Sequence, residues 1–301
     1  MQGEPSLHGA IIYTVDGVVG QVQGVPSPPG LIAYLPKYVL CSGGSPWRGR
    51  GYSLCREIPH YGPRGLASVM RRLGARWRRD PLYGVEMPYA SLYEVARLIR
   101  PREALEAFAS RAPGGSRPVE ALYTVVRGAC VSLGDLGLTG SYAMGIFHSS
   151  SDLDLIAYDR GSQRLYDYFS GLRRGPSREY LGGVVLEPYV DISWRRARLH
   201  GISVTWTGVP RVWHCPPLES YYSIPTPNRV FRGSLRVEPG QLGALLYPPC
   251  VEAGGYWVVS FEYNVGGALY EGGRIYVEGL LGGSVVYLGA REYPGRVRLP
   301  S

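Results

Sequence analysis

The hydrophobic pattern changes twice along the chain, and each change predicts a different kind of element. The first 60 residues carry short apolar runs rich in β-branched and aromatic residues, the make-up of strands. Residues 10–15 and 18–22 flank Asp16-Gly17, a dipeptide that favours a tight hairpin turn. Residues 26–30 read as a loop, 31–35 as another strand, and 43–51, crowded with Gly, Ser and Pro, as a loop again. The spacing then becomes helical. Residues 65–75, 91–99 and 101–111 are expected helices, the last with proline in its first turn. Residues 112–117 look like a linker, and 120–131 and 162–172 are two further expected helices. Towards the end, glycine pairs and alternating apolar positions predict strands at 230–237, 256–263, 274–280 and 284–289. Such short strands over about 75 residues suggest a small barrel or sandwich, a five-stranded oligonucleotide-binding barrel being one form. The expected fold class is α+β. Residues 1–115 would be a β-rich and then helical region, 116–225 a core of mixed sheet and helices, and 226–301 a C-terminal β domain.

The chemistry concentrates in the middle. The apolar run Leu136 to Thr139 leads into Gly140-Ser141, a spacer, and then Asp152-Leu153-Asp154-Leu155. On a strand, Asp152 and Asp154 leave from one face while the leucines enter the core. Their backbones would stand roughly 6.6 Å apart, close enough for both carboxylates to meet on metal ions about 3.5–4 Å apart. A strand end opening into a short helix presents backbone N–H groups to phosphate, and Ser141 adds a hydroxyl there. Ser141 also suits a plain helix N-cap, and the two roles are compatible. A hairpin with two solvent-facing aspartates would account for the acids, but not for their order behind Gly-Ser. Residues 184–194 are the next β-like run and hold Glu187 and Asp191. Pro188 disturbs a strand beside Glu187, whereas Asp191 lies between Val190 and Ile192. Asp159 reads as a helix cap, and His148 as a surface or supporting residue.

Over about residues 117–195, the Gly140-Ser141 pair, the spacer and Asp152-x-Asp154 resemble the signature of the DNA polymerase β-like nucleotidyltransferase superfamily, in the manner of its archaeal-type members. The resemblance implies a catalytic core of mixed sheet and helices, with a third acid on a later strand, for which it points to Asp191. It implies catalysis by Asp152, Asp154 and Asp191 with two Mg²⁺ ions held by the same residues, or Mn²⁺ in their place. Gly140 and Ser141 would bind the phosphates of a nucleoside triphosphate. The implied reaction moves a nucleoside monophosphate to a hydroxyl acceptor, with RNA the favoured acceptor, and releases pyrophosphate. Accessory helical regions like those of tRNA CCA-adding enzymes are not recognisable, nor are polymerase β helix-hairpin-helix modules. The competing reading is a nucleic-acid-binding protein on the same scaffold with little or no turnover.

Composition sharpens the choice of partner. A net charge of +8 favours a polyanion. One basic cluster holds Arg71, Arg72, Arg76, Trp77, Arg78 and Arg79, and a second holds Arg195, Arg196 and Arg198. Arginine forks hold phosphates and an indole stacks on bases, although the same residues would serve as a solvated face with Trp77 anchored in the core. The C-terminal aromatics Tyr256, Trp257, Phe261, Tyr263, Tyr276 and Tyr287 suit either stacking or a core, and the domain would otherwise join two copies in a homo-oligomer. Lys37 is the only lysine, and Asn228 and Asn264 are the only asparagines, a bias that suits a thermophilic host. No apolar run approaches the ~20 residues of a membrane span, and no signal-peptide pattern opens the chain, so a cytoplasmic protein without a membrane partner is expected. Five scattered cysteines without Cys-x-x-Cys spacing argue against a zinc site and a disulfide framework, leaving a Cys41–Cys55 bridge open for a hot host.

Overall fold

The computed structural model describes residues 5–49, 51–58, 63–73, 77–80, 86–111, 113–172, 178–179, 185–187, 190–214, 229–290 and 293–298. The fold is mixed α+β with several sheets. The N-terminal part builds an eight-stranded sheet from β1 (Ile11–Thr14), β2 (Val18–Val22), β3 (Leu31–Cys41), β4 (Trp47–Gly49), β5 (Tyr52–Arg56), β6 (Trp77–Arg79), β7 (Glu86–Ser91) and β8 (Val95–Ile99). The β1–β2 hairpin turns at Asp16-Gly17, where Gly17 takes φ +84°. β3 runs well beyond its expected end, through Pro36, and its ladder with β2 slips at that point. Between residues 43 and 51, the expected loop contains the short strand β4.

Residues 91–99 are not a helix. Ser91 and Glu94 cap a single 3₁₀ turn, Leu92–Glu94, after which β8 pairs along β1 with Ile11 opposite Ile99. The edge of β1 supplies ladder partners that a helix would forgo, and tertiary pairing overrides local spacing. The expected helices are α1 (Pro63–Leu73), α2 (Pro101–Arg111), α3 (Arg117–Gly128) and α5 (Arg160–Gly171), preceded in the core by the short α4 (Gly140–Met144).

The Cys41–Cys55 bridge left open by the sequence is present, and the bonding of Cys250 goes beyond it. Cys41 and Cys55 form a disulfide across β3 and β5, and Cys250 is disulfide-bonded as well. A bridge over a sequence separation of 14 restricts the unfolded chain by about 3 kcal/mol. The Cys41→Ser, Cys55→Ser double variant is therefore expected to melt several degrees lower; equal melting temperatures would contradict a stabilising bridge.

The central sheet holds β9 (Leu136–Thr139), β10 (Leu153–Tyr158), β14 (Arg196–Leu199) and β15 (Ile202–Val209) in the order β14-β15-β10-β9. β10 runs antiparallel to β9 and parallel to β15. Leu153, Leu155, Ile156 and Ala157 are fully buried, as alternation and a covered sheet require. Residues 184–194 do not form one strand. β12 (Val185–Glu187) pairs with a distant C-terminal strand, while β13 (Val190–Asp191) pairs with β11 (Arg178–Glu179) in a separate two-stranded sheet.

The last part contains β16 (Arg229–Val237), β17 (Cys250–Ala253), β18 (Tyr256–Ser260), α6 (Gly266–Glu271), β19 (Gly273–Gly282), β20 (Val285–Leu288) and β21 (Arg296–Arg298). The strands pair in the circuit β16-β17-β18-β20-β19-β16, a closed five-stranded barrel with α6 between its third and fourth strands. Tyr263 and Tyr287 point into the core, so these two aromatics pack and do not offer a stacking surface. One apolar cluster runs through all three stretches, joining Ala33 and Tyr89 to Leu138, Leu155 and Trp206 and on to Tyr263 and Tyr287. Among the described residues, no helix is long and apolar enough to cross a membrane.

Candidate active site

Strand register brings the Gly-Ser turn to the aspartates. Thr139 pairs with Asp154 across the β9–β10 ladder, so the next residue, Gly140, turns directly over the Asp154 side chain. Gly140 sits at φ +67°, and a Cβ added there would stand 2.3 Å from Asp154 Oδ2. Only glycine leaves that space to the carboxylate. Ser141 is buried in the first turn of α4 and is not its cap; Thr139 holds the N-cap position and donates its hydroxyl to the Gly9 carbonyl at 2.5 Å.

Asp154 is half-buried and its Oδ1 accepts a 2.5 Å hydrogen bond from Thr205 Oγ1 on β15. Burial pushes its carboxyl above the usual carboxylate range. The Thr205 hydrogen bond and the charges of Lys37 and Arg195 pull the other way, and Asp152 adds to the upward push. Asp152 lies just before β10 and pairs at 3.7 Å with the exposed Arg196. Tyr142 of α4 feels the Asp152 charge and stacks at 4.5 Å on Phe147, a residue 51% exposed.

Asp191 stands apart from this pair in strand order. β15, not β13, is the parallel neighbour of β10, so the residue level with Asp154 is Thr205. Both Asp191 carboxylate oxygens accept from Ser193, one from its N–H at 2.8 Å and one from its hydroxyl at 2.9 Å. Among the described residues, no three His, Cys, Asp or Glu side chains gather as a metal cage. Two carboxylates suit Mg²⁺ all the same, since that ion keeps several waters and takes its other oxygens from substrate phosphates.

The basic clusters divide. Arg71 and Arg72 lie exposed at the end of α1, where Arg72 pairs with Glu57 at 3.4 Å, and Arg78 and Arg79 lie exposed on β6. Arg76 and the Trp77 side chain fall outside the described residues. Arg195 turns inward: its guanidinium lies 4.7 Å over the Tyr263 ring and donates to Asn264 Oδ1 at 2.6 Å. Asp159 takes the N-cap position of α5, but its carboxylate accepts from the backbone and guanidinium of Arg211 and makes no cap bond. His148 packs its ring edge against Trp47 at 5.6 Å.

Three contributors were not singled out as site residues in the sequence: Lys37, Thr205 and His8. Their partners lie far along the chain, and only the sole-lysine count sets one of them apart. His8 stacks on Tyr247 at 3.9 Å and its Nδ1 accepts from Gly24 N at 3.0 Å. Burial, and then the charges of Lys37 and Arg195, hold its imidazole down at about 3 against an ordinary 6.5. Below pH 6.5 the unfolded chain takes up a proton that folded His8 refuses. This contribution to stability is therefore full above pH 6.5 and is lost at up to about 1.4 kcal/mol per pH unit as the pH falls towards 3. Replacing His8 with Gln should flatten that part of the profile in urea midpoints from pH 7 to 4; an unchanged slope would contradict it.

Comparison of the chain with family models, with curated proteins and with solved structures finds no match.

Proposed function

We propose that the chain is a metal-dependent nucleotidyltransferase that moves a nucleoside monophosphate from a nucleoside triphosphate to a hydroxyl acceptor, with RNA as the favoured acceptor. The observation that supports the reading is the fit of Gly140 over Asp154 at the end of the β9–β10 pair, with Ser141 next in the chain and Asp152 just ahead of β10. Asp152 and Asp154 would hold the divalent ions, Mg²⁺ or Mn²⁺. A bound ion would neutralise phosphate charge and lower the pKa of an attacking hydroxyl. The N–H groups after Gly140 and the Ser141 hydroxyl would steady the β and γ phosphates, and Arg196 would balance charge beside Asp152. The acceptor hydroxyl gives up its proton to water, its oxygen bonds to the α phosphorus, the bond from that phosphorus to the bridging oxygen of the β phosphate breaks, and pyrophosphate leaves. The five-stranded barrel, in the manner of an oligonucleotide-binding barrel, and the exposed arginines Arg71, Arg72, Arg78 and Arg79 would carry the acceptor.

One observation favours a second reading, a nucleic-acid-binding protein with little or no turnover. The strand position level with Asp154 carries Thr205 in place of an acid, and Asp191 is bonded to Ser193. Thermal melting separates the two. Mg²⁺ with a nucleoside triphosphate should raise the melting temperature of wild type and not of Asp154→Ala. Equal protection of both by RNA alone, with no nucleotide effect on either, would favour the binding protein.

A further inference from the structure

The five-stranded barrel has two unlike walls, and strand parity tells them apart. Along β16 and β19, Leu235, Val237, Ile275 and Val277 fill the barrel interior, so the residues between them face outward. On β17, β18 and β20 the outward positions are largely spent inside the protein. Cys250, Val259, Val285 and Tyr287 are buried in the cluster that the barrel shares with the central sheet, and Glu252 is the exposed residue of β17. Barrels of the oligonucleotide-binding type use that side, around their second and third strands, for the ligand. Here it is packed away. The outward positions of β16, β19 and the adjoining β21 carry the arginines Arg232, Arg236, Arg274, Arg296 and Arg298 against one acid on these strands, Glu278. Arg232 pairs with that acid at 3.3 Å. Arg236 and Arg274 stand directly opposite each other on the ladder, where like charges repel. Both line an open groove of about 560 Å³ together with Ser234 and Pro239. Arg236 is 83% exposed, and its 3.5 Å pair with the equally open Glu238 holds it only weakly. Glu271 also lines the groove, but its carboxylate accepts the Tyr166 hydroxyl at 2.9 Å. Tyr276 lies between Ser234 and Arg298 on the two ladders, half-buried, with the Arg298 guanidinium 5.8 Å from its ring centre.

We propose that the wall of β16, β19 and β21 binds single-stranded RNA, with its arginines on the phosphates and Tyr276 against a base. The proposal rests on the reading above for RNA as the acceptor, and it moves the contact from the usual side of such a barrel to the wall across it. Arginine forks grip phosphate oxygens two at a time, and a phosphate between Arg236 and Arg274 relieves their repulsion. The ring sets a nucleic acid apart from an acidic protein, because carboxylates offer nothing to stack. A single strand presents the base faces that a duplex keeps covered.

Fluorescence anisotropy of a labelled oligouridylate, read across about 50 to 200 mM salt, tests the assignment. The Arg236→Gln, Arg274→Gln double variant should bind about tenfold more weakly and lose about 1.4 from the salt slope, the share of two phosphates on a single strand. Tyr276→Leu keeps an apolar side chain in the half-buried site, and it should cost about tenfold in affinity with the salt slope unchanged. Neither variant should melt below wild type, and Mg²⁺ with a nucleoside triphosphate should protect both as it protects wild type. An oligouridylate–oligoadenylate duplex and polyglutamate serve as competitors, and both should compete poorly. Equal competition by polyglutamate would overturn RNA in favour of an acidic protein, and equal competition by the duplex would overturn the single strand. RNA binding that is unchanged in the wall variants but lost in Arg71→Gln, Arg72→Gln would overturn the wall and leave the transferase reading standing. No RNA binding by wild type would overturn the proposal as well, and nucleotide protection of that same protein would then decide the transferase reading separately.

Discussion

Replacing Asp154 with Asn is expected to abolish nucleotide transfer while raising the melting temperature. The two effects have one cause. A carboxylate that burial pushes above its usual pKa is a charge the fold holds at a cost. Its contribution is favourable only below the unfolded value of 3.8, and it is lost as the pH rises through the folded value. At neutral pH the ionised group therefore destabilises the fold. Asn keeps an acceptor for the Thr205 hydroxyl, so the 2.5 Å hydrogen bond survives while the charge is removed. For a chain of this size each kcal/mol relieved raises the midpoint by about 2–4 °C. Transfer would fall on the order of a thousandfold, because a charge worth several kcal/mol to the transition state is gone. A variant that transfers normally, or that melts lower than wild type, would contradict the role given to Asp154.

The second large effect is expected at Gly140. Alanine there meets two penalties: a left-handed φ of +67°, worth about 1–2 kcal/mol, and a Cβ only 2.3 Å from Asp154 Oδ2. The carboxylate has to move, and a displacement near 1 Å at reacting groups costs on the order of a hundredfold in rate. The clash can be separated from the strain. In an Asp154→Ala background the nearest remaining atom of residue 154 is Cβ at 3.4 Å, an ordinary contact. Gly140→Ala should then lower stability by the left-handed penalty alone, and the double-mutant cycle isolates the Gly140–Asp154 term. Identical stability losses in both backgrounds would show that the close approach does not matter.

What could be read from the sequence was local. The Asp16-Gly17 hairpin, the alternation of buried Leu153 and Leu155 around Asp154 and the short C-terminal strands each depend on neighbours a few residues apart, and each stands in the structure, with Asp152 just ahead of its strand. The barrel's closure depends on β20 pairing with both β18 and β19, which no local pattern encodes. The same limit explains Asp191. Its place between Val190 and Ile192 reads as a core-strand acid, yet strand order sets β15 beside β10 and puts Thr205 level with Asp154. Residues 91–99 misled for a related reason, since the spacing fits a helix while the open edge of β1 recruits a strand. Lys37 shows the converse. Its singularity was visible in the composition, but its position on a bulge, lining one small cleft with Gly140, required the fold.

The most direct measurement of the central claim is transfer of label from each of the four α-labelled ribonucleoside triphosphates, with Mg²⁺ and at high temperature. Total cellular RNA and total cellular protein would be offered as acceptors. The Asp152→Asn, Asp154→Asn double variant is the control. Label entering one macromolecular band with wild type and not with the variant is the predicted result, and it would identify the nucleotide and the acceptor together. Equal incorporation by the two proteins, or none above background in a wild type that still binds RNA, would contradict the proposed chemistry.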